Sequence, residues 1–312
     1  MKNRKNFNII SLGIFLMWLM PSLTYAQLNM TLEGELDYTQ ELSDIWGYTD
    51  GQGQEYAIVG VYNGVSIVDI STDPSNPTEV AFLSGVNITW RDIKIWGNYA
   101  YVINESSAAS GLRIIDLSNL PASVTDTHST LGVGFRDAHN IFIDENGIGY
   151  LFGSTTVGAG NVGQGTLMID LNTDPLNPTY LGIYNTNYVH DAFVRGDTMW
   201  ASEIYAGQVA VVDVSDKANP VILGTKDTPK DFAHACWPND DNTVLYVLEE
   251  KQDAWVLAYD VSDVTDIQEL DRYQSLPGTN VIPHNTFVIN QNFVVNSYYT
   301  SGVVILDATH PH

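Results

Sequence analysis

The sequence is poor in cysteine and in positive charge. Cys236 is its one cysteine, so an intramolecular disulfide is excluded, and we expect this side chain to be a small buried apolar residue. Thirteen Lys and Arg oppose 37 Asp and Glu among 312 residues, for a formal net charge of −24. A surface of this sign repels polyanions, which argues against nucleic acid and anionic membranes as partners.

Long apolar runs are also scarce. One run, from Ile9 to Met20, follows three basic residues and ends at Pro21. It is shorter than the roughly 20 residues that a membrane-spanning helix needs. The small residue Ala26 completes the pattern of an export signal, so residues 1–26 are predicted to be a signal peptide. We therefore expect an extracellular, cell-surface or periplasmic protein whose mature chain, 27–312, has no transmembrane segment.

Signatures of several enzyme classes are missing. There is no Cys-x-x-Cys, His-Glu-x-x-His or Gly-x-Ser-x-Gly. The glycine-rich stretch 158–165 is followed by a strand pattern and not by a helix, which excludes a phosphate-binding loop of the dinucleotide type. No stretch has a sustained 3.6-residue period, so few helices are expected.

An internal repeat dominates what the sequence does contain. A short apolar segment ending in aspartate occurs six times, with 43 to 54 residues between successive aspartates. Such a period is typical of a propeller blade of four strands. The side chain of each aspartate is expected to accept hydrogen bonds from the following turn. The six aspartates are Asp69, Asp116, Asp170, Asp213, Asp260 and Asp307.

The repeat predicts an all-β protein, a β-propeller of four-stranded antiparallel blades. Residues 30–38 resemble a lone fourth strand that completes the last blade, which would close a ring of six. The alternative is an incomplete seven-bladed ring, truncated near Thr309. The predicted units, within a single domain 27–312, are 42–86, 90–130, 138–186, 189–227, 233–275 and 283–312.

The six segments, such as Val65–Asp69 and Val303–Asp307, resemble LVIVD repeats. Together with stretches such as Thr89–Lys94, Tyr188–Asp191 and Pro283–Asn285, the chain resembles the secreted bacterial proteins of the choice-of-anchor B family. This resemblance implies a propeller and an exported location, and it supplies no activity. Members typically carry a variable C-terminal surface anchor, and this chain shows none, which favours truncation or free secretion.

A second column of residues marks the start of each first strand. Four of the six units place a histidine there, and three glutamates recur near the ends of second strands. In a propeller both positions lie at one mouth of the central channel. Imidazoles and carboxylates bind divalent transition metals and also suit acid–base chemistry. The candidate metal ligands are His139, His190, His234, His284, Glu105, Glu203 and Glu250.

Structural roles remain open for all of these residues. Histidine followed by Asn or Asp can bond to the neighbouring blade and hold the ring together, and tryptophans near the rim can serve packing instead of forming a ligand platform. A cation would be opposed by Arg91, which interrupts the histidine column. The candidate ligand-binding residues at the mouth are Trp46, Trp90, Arg91, Asp44, Asp92 and Asp191.

Three functions follow from these patterns. The leading hypothesis is a non-enzymatic surface or secreted propeller that binds a protein or another extracellular ligand. The second is a metal-binding protein or metalloenzyme that uses the histidine column and a divalent metal ion. The third is a purely architectural module of a larger surface protein.

Overall fold

The computed structural model describes residues 31–108, 111–157 and 163–310, and for residues 163 and 164 it describes only the backbone. The predicted signal peptide lies outside this part of the chain. The chain divides into two units, Met1–Glu33 and Gly34–His312. The described residues of the first unit, 31–33, have no regular secondary structure. The following account concerns the second unit.

Regular secondary structure in the described residues consists of 24 strands and no helix, in six antiparallel sheets. The predicted β-propeller is confirmed, with six blades. Blades one and two contain β1 (Leu42–Thr49), β2 (Glu55–Val61), β3 (Gly64–Asp69), β4 (Thr78–Ser84), β5 (Arg91–Trp96), β6 (Tyr99–Asn104), β7 (Leu112–Asp116) and β8 (Thr125–Ser129). Blades three and four contain β9 (Phe135–Asp137), β10 (Asn140–Ile143), β11 (Ile148–Thr156), β12 (Gly163–Asp170), β13 (Thr179–Tyr184), β14 (Asp191–Arg195), β15 (Thr198–Glu203), β16 (Gln208–Asp213) and β17 (Val221–Asp227). Blades five and six contain β18 (Ala233–Pro238), β19 (Val244–Glu249), β20 (Val256–Asp260), β21 (Gln268–Tyr273), β22 (Pro283–Ile289), β23 (Phe293–Tyr298) and β24 (Gly302–Asp307).

The second and third strands of blades one to five are largely buried because both of their faces pack against neighbouring blades. In blade four, Val209 to Val212 are fully buried, whereas the fourth strand, β17, is largely exposed. A continuous apolar run is typical of a strand covered on both faces, and this is why the repeated segment stands out in the sequence.

The aspartate at the end of each third strand caps the turn that follows it, as predicted. Its carboxylate accepts a backbone N–H two residues further on in all six blades, for example Ser71 N to Asp69 Oδ1 at 3.0 Å and Thr309 N to Asp307 Oδ1 at 2.9 Å. A second bond, from Thr72 Oγ1, helps to lower the pKa of Asp69. The repeated Asp therefore stabilises the turn between the third and fourth strands.

The first strands of successive blades contact one another in the order β1, β5, β10, β14, β18 and β22. Trp46 of blade one approaches Phe287 of blade six, with ring centroids 6.4 Å apart. Residues from all six first strands line one small cavity of about 30 Å³. This cavity marks the central channel.

The sixth blade differs from the others because it has three strands. Residues 31–38 form no strand, so within the described residues β24 has no partner on its outer side. Leu36 and Tyr38 pack instead against β2 and β3 of blade one. The outer face of β24 stays open, and Val303 is 67% exposed.

Gly34 nevertheless lies where a fourth strand would. A Cβ on Gly34 would collide with the turn of blade one at Pro74, as one on Gly182 would collide with the turn of blade four. Residues 34–38 thus lie beside blade one in the manner of a fourth strand but do not pair with β24. Among the described residues no helix has the length and apolarity needed to cross a membrane.

Candidate functional site

The first strands build the channel wall in three layers, because each strand contributes residues at fixed positions. The outermost layer lies at the mouth and holds the four histidines. The next holds mainly Asp and Asn. The third is aromatic in five blades. Its members are Trp46, Lys94, Phe142, Phe193, Trp237 and Phe287.

The histidines lie where the regular strand ladder is interrupted. His234 falls within a register shift between Ala233 and Ala235, and His284 falls within the shift between Pro283 and Thr286. A β-bulge of this kind re-aims a side chain out of the normal alternation. His139 and His190 directly precede the first residues of β10 and β14. All four rings can therefore project toward the mouth.

The four imidazoles form one continuous row, as the sequence predicted they would converge. Ring centroids are 4.0 Å apart for His139 and His190, 4.3 Å for His190 and His234, and 4.5 Å for His234 and His284. The row ends at Tyr299, whose ring centroid is 4.8 Å from that of His284.

Burial disfavours the charged form of three of these histidines, His190, His234 and His284. It lowers the pKa of His190 to about 2, and the neighbouring His139 and His284 lower it further because a second positive charge is unfavourable there. The pKa values of His234 and His284 are lowered for the same main reason, although Glu250 opposes the shift at His284. The Nδ1 atoms of His190 and His234 are buried without a hydrogen-bond partner. Neutral imidazoles with free lone pairs are the form that binds metal ions.

Three side chains at one end of the row have the composition of a metal site. Ligand atoms of His234, Glu250 and His284 all lie within 4.8 Å of one another. His234 Nε2 is 3.5 Å from Glu250 Oε2, and Tyr299 donates its hydroxyl proton to Glu250 Oε1 at 2.6 Å. Such an outer hydrogen bond orients a ligating carboxylate. Sequence reasoning missed Tyr299, although Tyr205 and Tyr299 both lie eight residues before the aspartate that ends the third strand.

The other two candidate glutamates have different surroundings. Glu105 Oε2 is 3.0 Å from His139 Nδ1, so it belongs to the mouth. Glu203 is fully buried and bound by three donors, Tyr184 Oη at 2.5 Å, Asn187 Nδ2 at 2.7 Å and Gln208 Nε2 at 2.6 Å. These bonds hold Glu203 between blades three and four, because Tyr184 belongs to blade three and Gln208 to blade four.

The strand register explains this separation. Glu203 corresponds to Glu249, the last residue of β19, whereas Glu105 and Glu250 come one position later. Successive side chains of a strand point to opposite faces, so an offset of one residue changes the environment completely. The glutamate column read from the sequence therefore combines two structural positions.

The aspartates predicted to bind a ligand lie one layer below the mouth. Asp44 Oδ2 accepts the N–H of Ile93 at 2.9 Å, and Asp92 Oδ2 accepts the N–H of Ile141 at 2.8 Å. Each bond joins a blade to the next one. A hydrogen bond to the neighbouring blade was the structural alternative considered for the histidine column. In the structure, Asp44 and Asp92, one residue after that column, make this bond.

A lysine compensates part of the negative charge in this layer. Lys94 Nζ lies 2.8 Å from Asp92 Oδ1, 3.6 Å from Asp44 Oδ2 and 4.5 Å from the ring centroid of Trp46. Lys94 lowers the pKa of Asp92 against the effect of burial. Burial and the charge of Asp92 raise the pKa of Asp191 to about 7 and also raise that of Asp44.

The remaining candidates at the rim have structural contacts. Arg91 is buried and donates to the carbonyl oxygens of Val86 at 2.8 Å and Val61 at 3.3 Å, and burial lowers its pKa to about 10. Trp46 packs in the aromatic layer against Phe287, below the mouth. Trp90 is 56% exposed at the rim. The aromatic layer was missed, although its spacing, two residues after the Asp/Asn layer, is readable in the sequence.

Comparisons with known proteins agree with this architecture. The family model described as LVIVD repeat matches residues 53–83, 90–125 and 205–228. No curated protein matches the chain.

Many solved structures share the fold. The periplasmic gluconolactonase PpgL of Pseudomonas aeruginosa is 11% identical, with a TM-score of 0.62 over 87% of this chain and 81% of that one. The β-propeller domain of Cps50 from Myceliophteria thermophila is 13% identical, with a TM-score of 0.55 over 85% and 83%. The C-terminal WD40 domain of Sif2 is 11% identical, with a TM-score of 0.56 over 88% and 84%. At these identities the similarity concerns the fold alone.

Proposed function

Because the chain is a β-propeller built from LVIVD repeats, we propose that it is an exported, non-enzymatic binding scaffold whose channel mouth binds a divalent transition-metal ion. The ion is held by His234, Glu250 and His284. The observation that carries this proposal is the convergence of their ligand atoms within 4.8 Å.

The donor set indicates the type of metal. Two imidazoles and one carboxylate suit zinc and other late first-row metals better than Mg²⁺ or Ca²⁺, which prefer oxygen ligands. Three protein ligands leave an open coordination position, which an external ligand can fill. The lowered pKa values of both histidines keep them neutral at pH 7, so that no proton has to leave before the ion binds.

Metal titration of the untagged protein tests this function. We expect about one Zn²⁺ per chain by elemental analysis and by calorimetry at pH 7. In the double variant His234→Ala/His284→Ala, affinity should fall by at least a hundredfold because two of three ligands are lost. His128→Ala is the matched control, since His128 is an exposed residue of β8. A folded wild-type protein without stoichiometric metal, or a double variant with unchanged affinity, would refute the proposal.

Export is the second part of the proposal. The basic start, the short apolar run and Ala26 support cleavage before Gln27. Expression of the full-length chain in a bacterial host, followed by mass spectrometry of the extracytoplasmic fraction, should find a mature chain beginning near Gln27. Retention of the uncleaved chain in the cytoplasm would contradict it.

A further inference from the structure

Beside the candidate metal ligands lies an open cavity of about 600 Å³. It is lined by Lys230, Glu250, Lys251, Gln252 and Ile282, so it shares Glu250 with the site at the mouth. A volume of this size matches a small organic ligand and exceeds what a metal ion alone requires. An occupant of this cavity would therefore lie within reach of an ion held by Glu250.

The cations of this cavity are unusual for the chain. Six of the ten Lys and Arg in the described residues have a carboxylate oxygen within 4.0 Å. The four that do not are Arg91, Lys226, Lys230 and Lys251. Two of these four, Lys230 and Lys251, line this cavity beside the candidate metal ligands. In so acidic a protein, a lysine ammonium group without a carboxylate oxygen within 4.0 Å is expected to attract an anion locally.

Both lysines have fixed positions. Lys230 Nζ donates to the carbonyl oxygens of Gln252 at 2.5 Å and Asp253 at 2.8 Å, and it lies 5.2 Å from the ring centroid of Trp255. Lys251 Nζ lies 3.7 Å from the ring centroid of Phe232. Carbonyl oxygens and aromatic faces orient an ammonium group but do not neutralise its charge.

We propose that this cavity binds a small organic anion, a carboxylate or a phosphate monoester, whose charged oxygens contact Lys251 and Lys230 and fill the open position of the metal ion. The inference rests on the proposed function because the ion supplies one of the contacts. Ile282 provides an apolar wall for the organic part of the ligand.

Cobalt(II) provides a probe that separates the two proposals. The untagged protein is loaded with Co²⁺, and its visible absorption is followed while acetate or methyl phosphate is added. We expect each probe that binds to change the spectrum with saturation, since an anion that enters the coordination sphere alters the ligand field. Comparison of the two probes distinguishes a carboxylate from a phosphate ligand.

Charge-removing variants locate the anion. Lys251→Gln should weaken binding of the preferred probe by about five- to tenfold. Lys226→Gln is the matched control, because Lys226, like Lys251, lies near an aromatic ring and has no carboxylate oxygen within 4.0 Å, but belongs to β17. It should leave binding unchanged. Failure to take up Co²⁺ would refute the metal site. Uptake of Co²⁺ without a saturable response to either anion, or an equal response in Lys251→Gln and wild type, would refute only the anion site.

Discussion

The histidine row and the aspartate layer below it come from adjacent residues of the same strands, yet they are used in opposite ways. Asp44 and Asp92 accept hydrogen bonds from backbone N–H groups of the next blade. His190 and His234 keep buried Nδ1 atoms without a partner. Buried polar groups are normally satisfied within the protein, so the unpartnered nitrogens of His190 and His234 indicate that the histidine row, and not Asp44 or Asp92, is free to bind a ligand.

Removal of the Asp92 charge should have the largest effect on stability. Asp92→Asn takes from buried Lys94 its closest carboxylate, and breaking a buried ion pair costs about 3 kcal/mol. The loss should be visible in urea unfolding followed by tryptophan fluorescence, while metal affinity stays unchanged. The control is Asp216→Asn in an exposed turn, which should destabilise the fold far less. Equal stability of the two variants would mean that the aspartate layer does not hold the blades together.

A pair of glutamate variants sharpens the same comparison. Glu203→Gln should destabilise the fold by about 1–2 kcal/mol, because an amide cannot accept hydrogen bonds from all three of its present donors. Glu250→Gln should change stability by less than about 0.5 kcal/mol and reduce metal affinity more than tenfold. Urea unfolding and calorimetric titration of both variants test this. The reverse pattern would show that the two positions have been assigned the wrong way round.

The two layers should also respond to pH with opposite signs. The pKa of His190 is about 2 in the folded protein and about 6.5 when unfolded. Below pH 6.5 the unfolded chain therefore binds the extra proton, and stability falls as pH falls. The pKa of Asp191 is about 7 in the folded protein and 3.8 in the unfolded chain. Between these values the folded chain holds the extra proton, so stability falls as pH rises.

Variants should separate these contributions between pH 5.0 and 6.5 in metal-free protein. His190→Gln should make the free energy of unfolding rise less steeply with pH, and Asp191→Asn should make it rise more steeply. Each change in slope is about 1.4 kcal/mol per pH unit at most. Unfolding curves measured at four pH values suffice for this comparison. Slopes that change in the same direction in both variants would contradict the prediction that His190 and Asp191 have opposite effects on the pH dependence of stability.

Sequence reasoning went furthest where the repeat amplified a signal. The six apolar segments with their terminal aspartates predicted the blades and the turn caps, since a strand covered on both faces must be apolar throughout. The row of histidines was also predicted, from a column of four in one position. Lys94 was missed because it occurs in a single blade, and a residue that is present once forms no column in the aligned repeats.

The glutamates show why the rest required coordinates. Glu203 and Glu250 appeared equivalent by spacing, but the strand register places them one residue apart and therefore on different faces. Bulges at His234 and His284 likewise re-aim side chains, and a bulge is visible only as a shift in pairing between strands.

The sequence by itself thus determined the blade, its turns and the ring of first strands, because local periodicity and turn chemistry specify an antiparallel sheet and its repetition specifies the ring. The tertiary structure alone decided which polar residues join blades and which remain at the mouth. That choice depends on register and bulges, and a shift of one residue moves a side chain from a satisfied interior to an open site.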